Sequence, residues 1–317
     1  MGNVEFIGLI EKANSIALGG HIRPDGDATG STMGLSEYIR TLYPEKKVDV
    51  YLEEIPPEYH FLKGTDLVKH ECTQEVYDLF ICEDCGDAKR LGFSMKAFEK
   101  AKDTICIDHH ISNQSFAAHN FIDPDASSTS EIVFRLIDKS VLNKDIAECL
   151  FLGIVHDTGV FQYACTAPET LEAAAVLLRF GIDAPKIIFE TYYQKTYSQL
   201  RITGKALESS RLIENDTCIV SQISYEDQTE YHVTPMDLDG IVSQLRLSKE
   251  AKLAVFFYET APGEWKISLR CVDGIDVSLI AGHFGGGGHV LASGFSTKKK
   301  PDEMLALILE QFRLQLV

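Results

Sequence analysis

The sequence predicts an α/β protein in which a largely parallel sheet with helices on its faces is followed by a smaller α+β domain. Three observations predict it. In the first half, short runs rich in Ile, Val, Leu, Phe and Cys alternate with stretches whose apolar residues recur at helical spacing. Such alternation favours parallel strands joined through helices. Past the middle of the chain the pattern restarts with further strand-like runs, a glycine-rich segment and a closing helix. At 317 residues the chain has room for about two domains.

Taken in order, SIALGG (15–20), KVDVYL (47–52), YDLFIC (77–82) and DTICID (103–108) read as strands, each short, apolar and flanked by polar turns. Residues 29–42, 127–137 and 145–155 carry helical spacing. Helical stretches follow at 169–180, stopped by Gly181, and at 185–193. Residues 198–212 read as a helix bridging two lobes. Then come TCIVSQI (217–223), a helix near 236–247, KLAVFFYE (252–259), WKISLRC (265–271), a glycine-rich turn and a helix over 302–316. The predicted organisation is a first domain over 1–193, a helical linker over 194–211 and a second domain over 212–317. In parallel sheets of this kind, ligands bind beyond the carboxyl ends of the strands.

Composition narrows the function classes. Hydrophobic residues make up 45% and charged residues 24%, which excludes disorder, collagen and coiled coil as the main state. A net charge of −17 argues against a partner such as long duplex nucleic acid, whose binding requires many phosphates to be neutralised. The eight cysteines are scattered and several lie in apolar runs, as reduced, buried thiols do. Cys82 and Cys85 match half of a redox or zinc motif without a second pair. The first residues carry acids inside their only apolar stretch, and no run reaches the ~18 apolar residues of a membrane span. The chain reads as cytoplasmic, with no membrane partner.

Polar, metal-competent side chains follow several predicted strands. His21, Asp25 and Asp27 stand in HIRPDGDATGS, with Gly26 between the two acids. Glu83, Asp84 and Asp87 close the third run, and Asp108, His109 and His110 the fourth. Asp157 ends an apolar helical stretch in GIVHDTG. Singly, each has an ordinary explanation as a turn or helix-end residue. Adjacent histidines after an apolar strand are harder to explain so, because an unpartnered buried imidazole is costly. Together they form a mixed imidazole and carboxylate set, which suits Mn²⁺, Fe²⁺, Co²⁺ or Zn²⁺ better than Ca²⁺ or Mg²⁺. Four acids and two histidines suffice for two cations sharing a carboxylate, and cations about 3.5–4 Å apart can activate a nucleophile and stabilise charge on a phosphoryl group. Near the C-terminus, Arg270 precedes Gly286, Gly287, Gly288 and His289, a combination of charge and exposed backbone N–H groups suited to phosphate. No GxxxxGK[ST] motif is present.

These segments resemble, in order, the motifs of the DHH–DHHA1 phosphoesterase superfamily. HxxPDGDAxGS, DCGD, DHH and the Asp157 segment are similar to its four metal-binding motifs, and RCVDGIDVSLIAGHFGGGGHVLASGF to the signature of its DHHA1 substrate lobe. The two-lobe size is most similar to the NrnA-type group of oligoribonucleases and phosphoadenosine phosphate phosphatases. The resemblance implies a DHH domain and a DHHA1 domain with the active site in the cleft between them, a mobile hinge near 190–210, and a homodimer. It implies two Mn²⁺ ions, or other divalent transition metals: one held by His21, Asp25 and Asp84, the other by Asp27, Asp84, His109 and Asp157. Asp84, Asp157 and His110 become the catalytic group, with His110 facing the scissile phosphate. Arg270, Gly286, Gly287, Gly288 and His289 join His110 in binding substrate.

The expected activity is hydrolysis of short oligoribonucleotides to nucleoside monophosphates, removal of the terminal phosphate from phosphoadenosine phosphate, or both. The alternatives are a cyclic dinucleotide phosphodiesterase, an inorganic pyrophosphatase, which the Arg270 and glycine segment disfavours, and a nucleotide-binding protein without turnover. Three positions depart from the family pattern. Glu83 stands where an apolar residue is usual, His156 precedes Asp157, and Gln162 replaces a common basic residue.

Overall fold

The computed structural model describes residues 3–72, 76–272 and 274–316. Asp273, part of the DHHA1-like signature, lies outside the described residues. The chain divides into two compact units, Met1–Gln194 and Lys195–Val317.

The first unit is built on five strands: β1 Ser15–Gly19, β2 Lys47–Tyr51, β3 Leu79–Glu83, β4 Asp103–Asp108 and β5 His119–Ile122. All pairs are parallel, in the order β2-β1-β3-β4-β5. Around them lie α1 Val4–Lys12, α2 Gly26–Leu42, α3 Met95–Lys100, α4 Thr129–Leu136, α5 Lys144–Asp157, α6 Pro168–Leu178 and α7 Ala184–Ile188. Successive strand residues point to opposite faces, so each strand feeds two cores. Ile16, Leu18, Ile81, Ile105 and Ile107 enter the larger core with α2 and α5, whereas Ala17, Phe80, Cys82 and Cys106 enter a smaller one with Phe98 of α3. Cys82 and Cys85 are both in that smaller core, and burial together with neighbouring thiols pushes the Cys82 thiol well above its ordinary range. A thiol so held is a poor nucleophile.

The chain leaves β1 for β2 on one side and returns to β3 on the other. The crevice at the carboxyl ends of β1 and β3 is therefore the topological switch point, where this class of sheet binds ligands. A second feature shapes the same end. α2 and α5 cross with backbones almost touching: a Cβ on Gly30 would meet the carbonyl oxygen of Cys149 and come within 2.8 Å of Gly153 N, and one on Gly34 within 2.8 Å of Leu150 Cδ2. Only glycine permits that approach.

The second unit holds β6 Arg211–Ile213, β7 Cys218–Ile223, β8 Leu253–Ala261, β9 Glu264–Cys271, β10 Gly287–His289 and β11 Ala292–Thr297. Its order is β10-β11-β9-β8-β7-β6, and β7 with β8 is its parallel pair. Helices α8 Tyr197–Glu208, α9 Tyr225–Tyr231, α10 Ile241–Leu245, α11 Val277–His283 and α12 Pro301–Arg313 cover both faces. Along β8, Leu253, Val255 and Phe257 face the core with α11 and α12, while Ala254, Phe256 and Tyr258 face the core with α8 and α10.

Element edges differ from the sequence reading in three places. The helix expected to reach residue 212 ends at Glu208, because Leu212 pairs with Ile219 in the β6–β7 hairpin. The helix expected over 236–247 is a 3₁₀ turn, Pro235–Leu238, then α10, broken at Gly240 with φ 84°. The expected glycine-rich turn contains α11 and the β10–β11 hairpin. Among the described residues no helix is long and apolar enough to cross a membrane.

Candidate metal centre

Three strand ends and two helix ends deliver the site. His21 follows β1, Asp84 follows β3, His109 and His110 follow β4, and Asp157 is the last residue of α5. Asp25 caps α2, accepting from the amides of Asp27 and Ala28 at 3.1 Å each. Asp27, one residue inside that helix, is fully buried. Its carboxylate is received by the first amides of α4, Thr129 N at 2.6 Å and Ser130 N at 2.9 Å. Helix N-termini favour anions, so this cradle fixes Asp27 while leaving each oxygen a second lone pair.

The donor atoms converge in overlapping groups. His21, Asp25 and Asp84 offer ligand atoms within 4.8 Å of one another; so do Asp27, His109 and Asp157, and Asp84, His109 and His110. The two oxygens of Asp84 are turned apart: Oδ2 lies 3.3 Å from His21 Nε2, and Oδ1 lies 3.6 Å from His109 Nε2. His21 Nε2 is also 3.4 Å from Asp25 Oδ2, and His109 Nε2 is 3.0 Å from Asp157 Oδ2. His21 Nδ1 donates to the Ile22 carbonyl at 2.8 Å, which directs the Nε2 lone pair into the cluster. Donor types, spacing and ring orientation all fit divalent transition cations.

His110 differs from its neighbour. Its Nδ1 bonds Asp108 Oδ1 at 2.7 Å, and Asp108 Oδ2 accepts from Asn113 Nδ2 at 2.7 Å. Asp108 is fully buried and thus orients the ring from behind, a role that the sequence pattern did not disclose. Also unforeseen were Thr129 and Ser130, whose amides lie about a hundred positions from Asp27 in the chain. Nothing in their residue types signals such a contact.

Backbone strain concentrates here. Asp84 itself has φ 55°, Arg23 has φ 54°, and Val160 and Phe161, just beyond Asp157, have φ 58° and 63°. A β-branched residue in the left-handed region is a costly outlier, held only where the surroundings over-determine it. Of the positions that depart from the family pattern, Glu83 is fully buried, and burial followed by repulsion from Asp27 and Asp84 pushes its carboxyl well above the ordinary range. Asp84, not Glu83, stands among the histidines. Gln162 is exposed, and its backbone N–H donates to Thr158 O at 2.9 Å.

The electrostatics describe a cluster short of positive charge. Burial, followed by repulsion from Asp157 and Asp84, raises Asp27 well above the carboxylate range. Burial likewise raises Asp157, to about 6, against the opposing bond from His109. Burial also works against the imidazolium of His21 and of His109, but their carboxylate partners outweigh it and push each up to about 11. Protonated imidazoles thus act as internal counter-cations, contributing stability that is complete below pH 6.5 and is lost only as pH rises toward about 11. A cation binding between pH 7 and 9 must displace those protons. Uptake of metal at pH 8 is therefore expected to release protons, measurable by calorimetry in buffers of differing ionisation enthalpy. No proton release would mean that the cation binds elsewhere.

In the second unit, the strand register sets Arg270 opposite Ala292 and Ala292 opposite His289. Residues directly opposite share a face, so Arg270 and His289 flank a small residue two strand spacings, roughly 10 Å, apart. Gly286 and Gly288 pack on the backbone of the partner strand: a Cβ on either would meet Gly294 O or come within 2.5 Å of Ala292 O. Gly287 has open space around it.

Comparison with known proteins agrees with this division. Residues 15–154 match the DHH family N-terminal domain, and residues 215–315 match the DHHA1 domain. The bifunctional oligoribonuclease and PAP phosphatase NrnA of Bacillus subtilis is 28% identical over 298 residues, 92% of each chain. The protein of the same name from Thermus thermophilus is 27% identical, over 93% of this chain and 88% of its own. Among solved structures, an exopolyphosphatase-related protein from Bacteroides fragilis superposes with a TM-score of 0.91 at 28% identity, covering 99% of this chain and 97% of its own.

Proposed function

Since the chain belongs to the DHH–DHHA1 phosphoesterase superfamily and is a hydrolytic enzyme, we propose that it cleaves short oligoribonucleotides to nucleoside monophosphates and dephosphorylates phosphoadenosine phosphate. The observation that carries this reading is the division of Asp84, whose two oxygens address two different ligand groups. His21, Asp25 and Asp84 would hold one cation; Asp27, Asp84, His109 and Asp157 the other. Mn²⁺ suits this mixture of imidazole and carboxylate. Bound there, two cations would supply Lewis acidity and neutralise charge developing on a phosphoryl group.

The chain's own residues do the remainder. Asp108 holds His110 by Nδ1, so Nε2 is the atom that meets the phosphate or passes a proton to the leaving oxygen. The Arg270 and His289 row, with the amides of Gly286–Gly288, takes the distal phosphate and sugar of a short nucleotide. The relatives named as oligoribonuclease and PAP phosphatase support both substrates. The strongly acidic chain supports a short substrate over a polymer, because a long backbone would meet repulsion. The expected result is that AMP release per 3′ or 5′ end falls at least tenfold between di-adenylate and a 24-nucleotide adenylate. Equal rates at both lengths would sink the short-substrate reading.

A further inference from the structure

His156 stands immediately before Asp157, yet its ring does not join the ligand groups. It turns instead onto the loop that carries the other acids. A Cβ on Gly26, the residue between Asp25 and Asp27, would strike the His156 ring and come within 2.7 Å of its Cδ2. The imidazole therefore lies flush against the backbone that spaces the two aspartates.

The ring is locked from three further directions. Its Nε2 lies 3.0 Å from Thr191 Oγ1, and that hydroxyl spends its own proton on the Ile187 carbonyl at 2.8 Å. Thr191 must then accept from Nε2–H, while Nδ1 lies 3.4 Å from Tyr59 Oη. Tyr59 and Tyr192 stand edge-on to the ring at 5.3 Å and 5.6 Å between centroids. Thr191 and Tyr192 belong to a π-helical turn, Phe189–Tyr193, that continues α7. Such turns are uncommon and recur at functional sites.

We infer that His156 is a positioning residue for the centre: a wedge that ties the Asp25–Gly26–Asp27 loop to Asp157, so that Asp27 and Asp157 meet around one cation. The inference rests on the two-cation reading of the site. Two of the acids it spaces, Asp27 and Asp157, belong to the ligand group shared with His109, whereas the His21 group holds one, Asp25. Loss of the ring should accordingly loosen one cation more than the other.

The test is Mn²⁺ titration of the metal-free full chain, by calorimetry and by electron paramagnetic resonance of the free ion, with thermal melting in EDTA alongside. The wild type is expected to take two ions, and Asp27→Asn identifies which binding step belongs to the Asp27 group. His156→Ala should weaken that same step about 10- to 100-fold, the usual effect of losing an outer-shell partner, and leave the other within about threefold. His156→Phe, which keeps a ring against Gly26 but loses both hydrogen bonds, should weaken the same step by an intermediate factor while melting in EDTA like the wild type. It decides the matter if the alanine variant does not fold. Unchanged affinities in both variants, or equal weakening of both steps together with a lowered melting temperature, would overturn the inference. A wild type that takes a single ion would instead overturn the two-cation reading itself, and this inference with it.

Discussion

Asp84→Asn is expected to lower kcat/KM for a dinucleotide by at least ~10³-fold, equivalent to about 4 kcal/mol of barrier, while the metal-free protein melts no lower than the wild type. The argument is geometric. Among the described residues, Asp84 has the one carboxylate whose oxygens face both His21 and His109, at 3.3 Å and 3.6 Å. An amide in its place keeps the volume but offers one weak oxygen donor, so one cation would keep a weakened ligand while the other would lose its ligand and face an N–H group instead. In the metal-free chain the same change relieves repulsion with Asp27 and Asp157 while removing one of several acid partners of His21 and His109, and the two effects offset, so the fold does not suffer. Glu83→Gln supplies the contrast. Glu83 is buried beside Asp84 without reaching the histidines, and its replacement should leave turnover within about threefold, since surrounding ligands are untouched. If Glu83→Gln silenced the enzyme and Asp84→Asn did not, the bridging assignment would be reversed.

Gly153→Ala should destabilise the protein by about 1–3 kcal/mol and at the same time reduce cation affinity. Alanine in mid-helix normally gains about 0.5–1 kcal/mol over glycine, so the expected sign is opposite to the propensity effect. The reason is the close packing of α5 on both α4 and α2. A Cβ at position 153 would overlap Ser130 Oγ and lie 2.6 Å from Asp27 Oδ1. Relief requires either that the helices part or that Asp27 leaves the amides of Thr129 and Ser130. Gly8→Ala in α1, where nothing lies within 4 Å of the added methyl, is the control and should be neutral or mildly stabilising. Urea denaturation of the metal-free variants reads the stability change, and Mn²⁺ titration of the folded variants reads the affinity. A stabilised Gly153→Ala protein would show that the close packing does not constrain the site.

Much of the site was legible because it sits where strands end. β1, β3 and β4 announce themselves as apolar runs, and the first polar residues after them, His21, Asp84, His109 and His110, fall on one edge of a parallel sheet. Asp25 and Asp27 could be read as ligands or as caps, and Asp25 does cap α2. Less legible was anything that depends on contact between distant segments. The α4 amides that receive Asp27 and the wedge of His156 on Gly26 leave no local pattern. The antiparallel pairing of β10 with β11 was missed for a different reason: Gly287 and Gly288 carry no side chains from which alternation could be seen, although the register they permit sets Arg270 and His289 in one row.

The most direct test of the proposed function is a competition in Mn²⁺, with mass-resolved products, among linear di-adenylate, phosphoadenosine phosphate and cyclic di-adenylate at equal concentration. The account predicts that the two linear substrates disappear first, that AMP accumulates, and that Asp84→Asn leaves all three intact. Opening of the cyclic species ahead of the others, or no loss of any substrate by a protein shown to hold its cations, would contradict it.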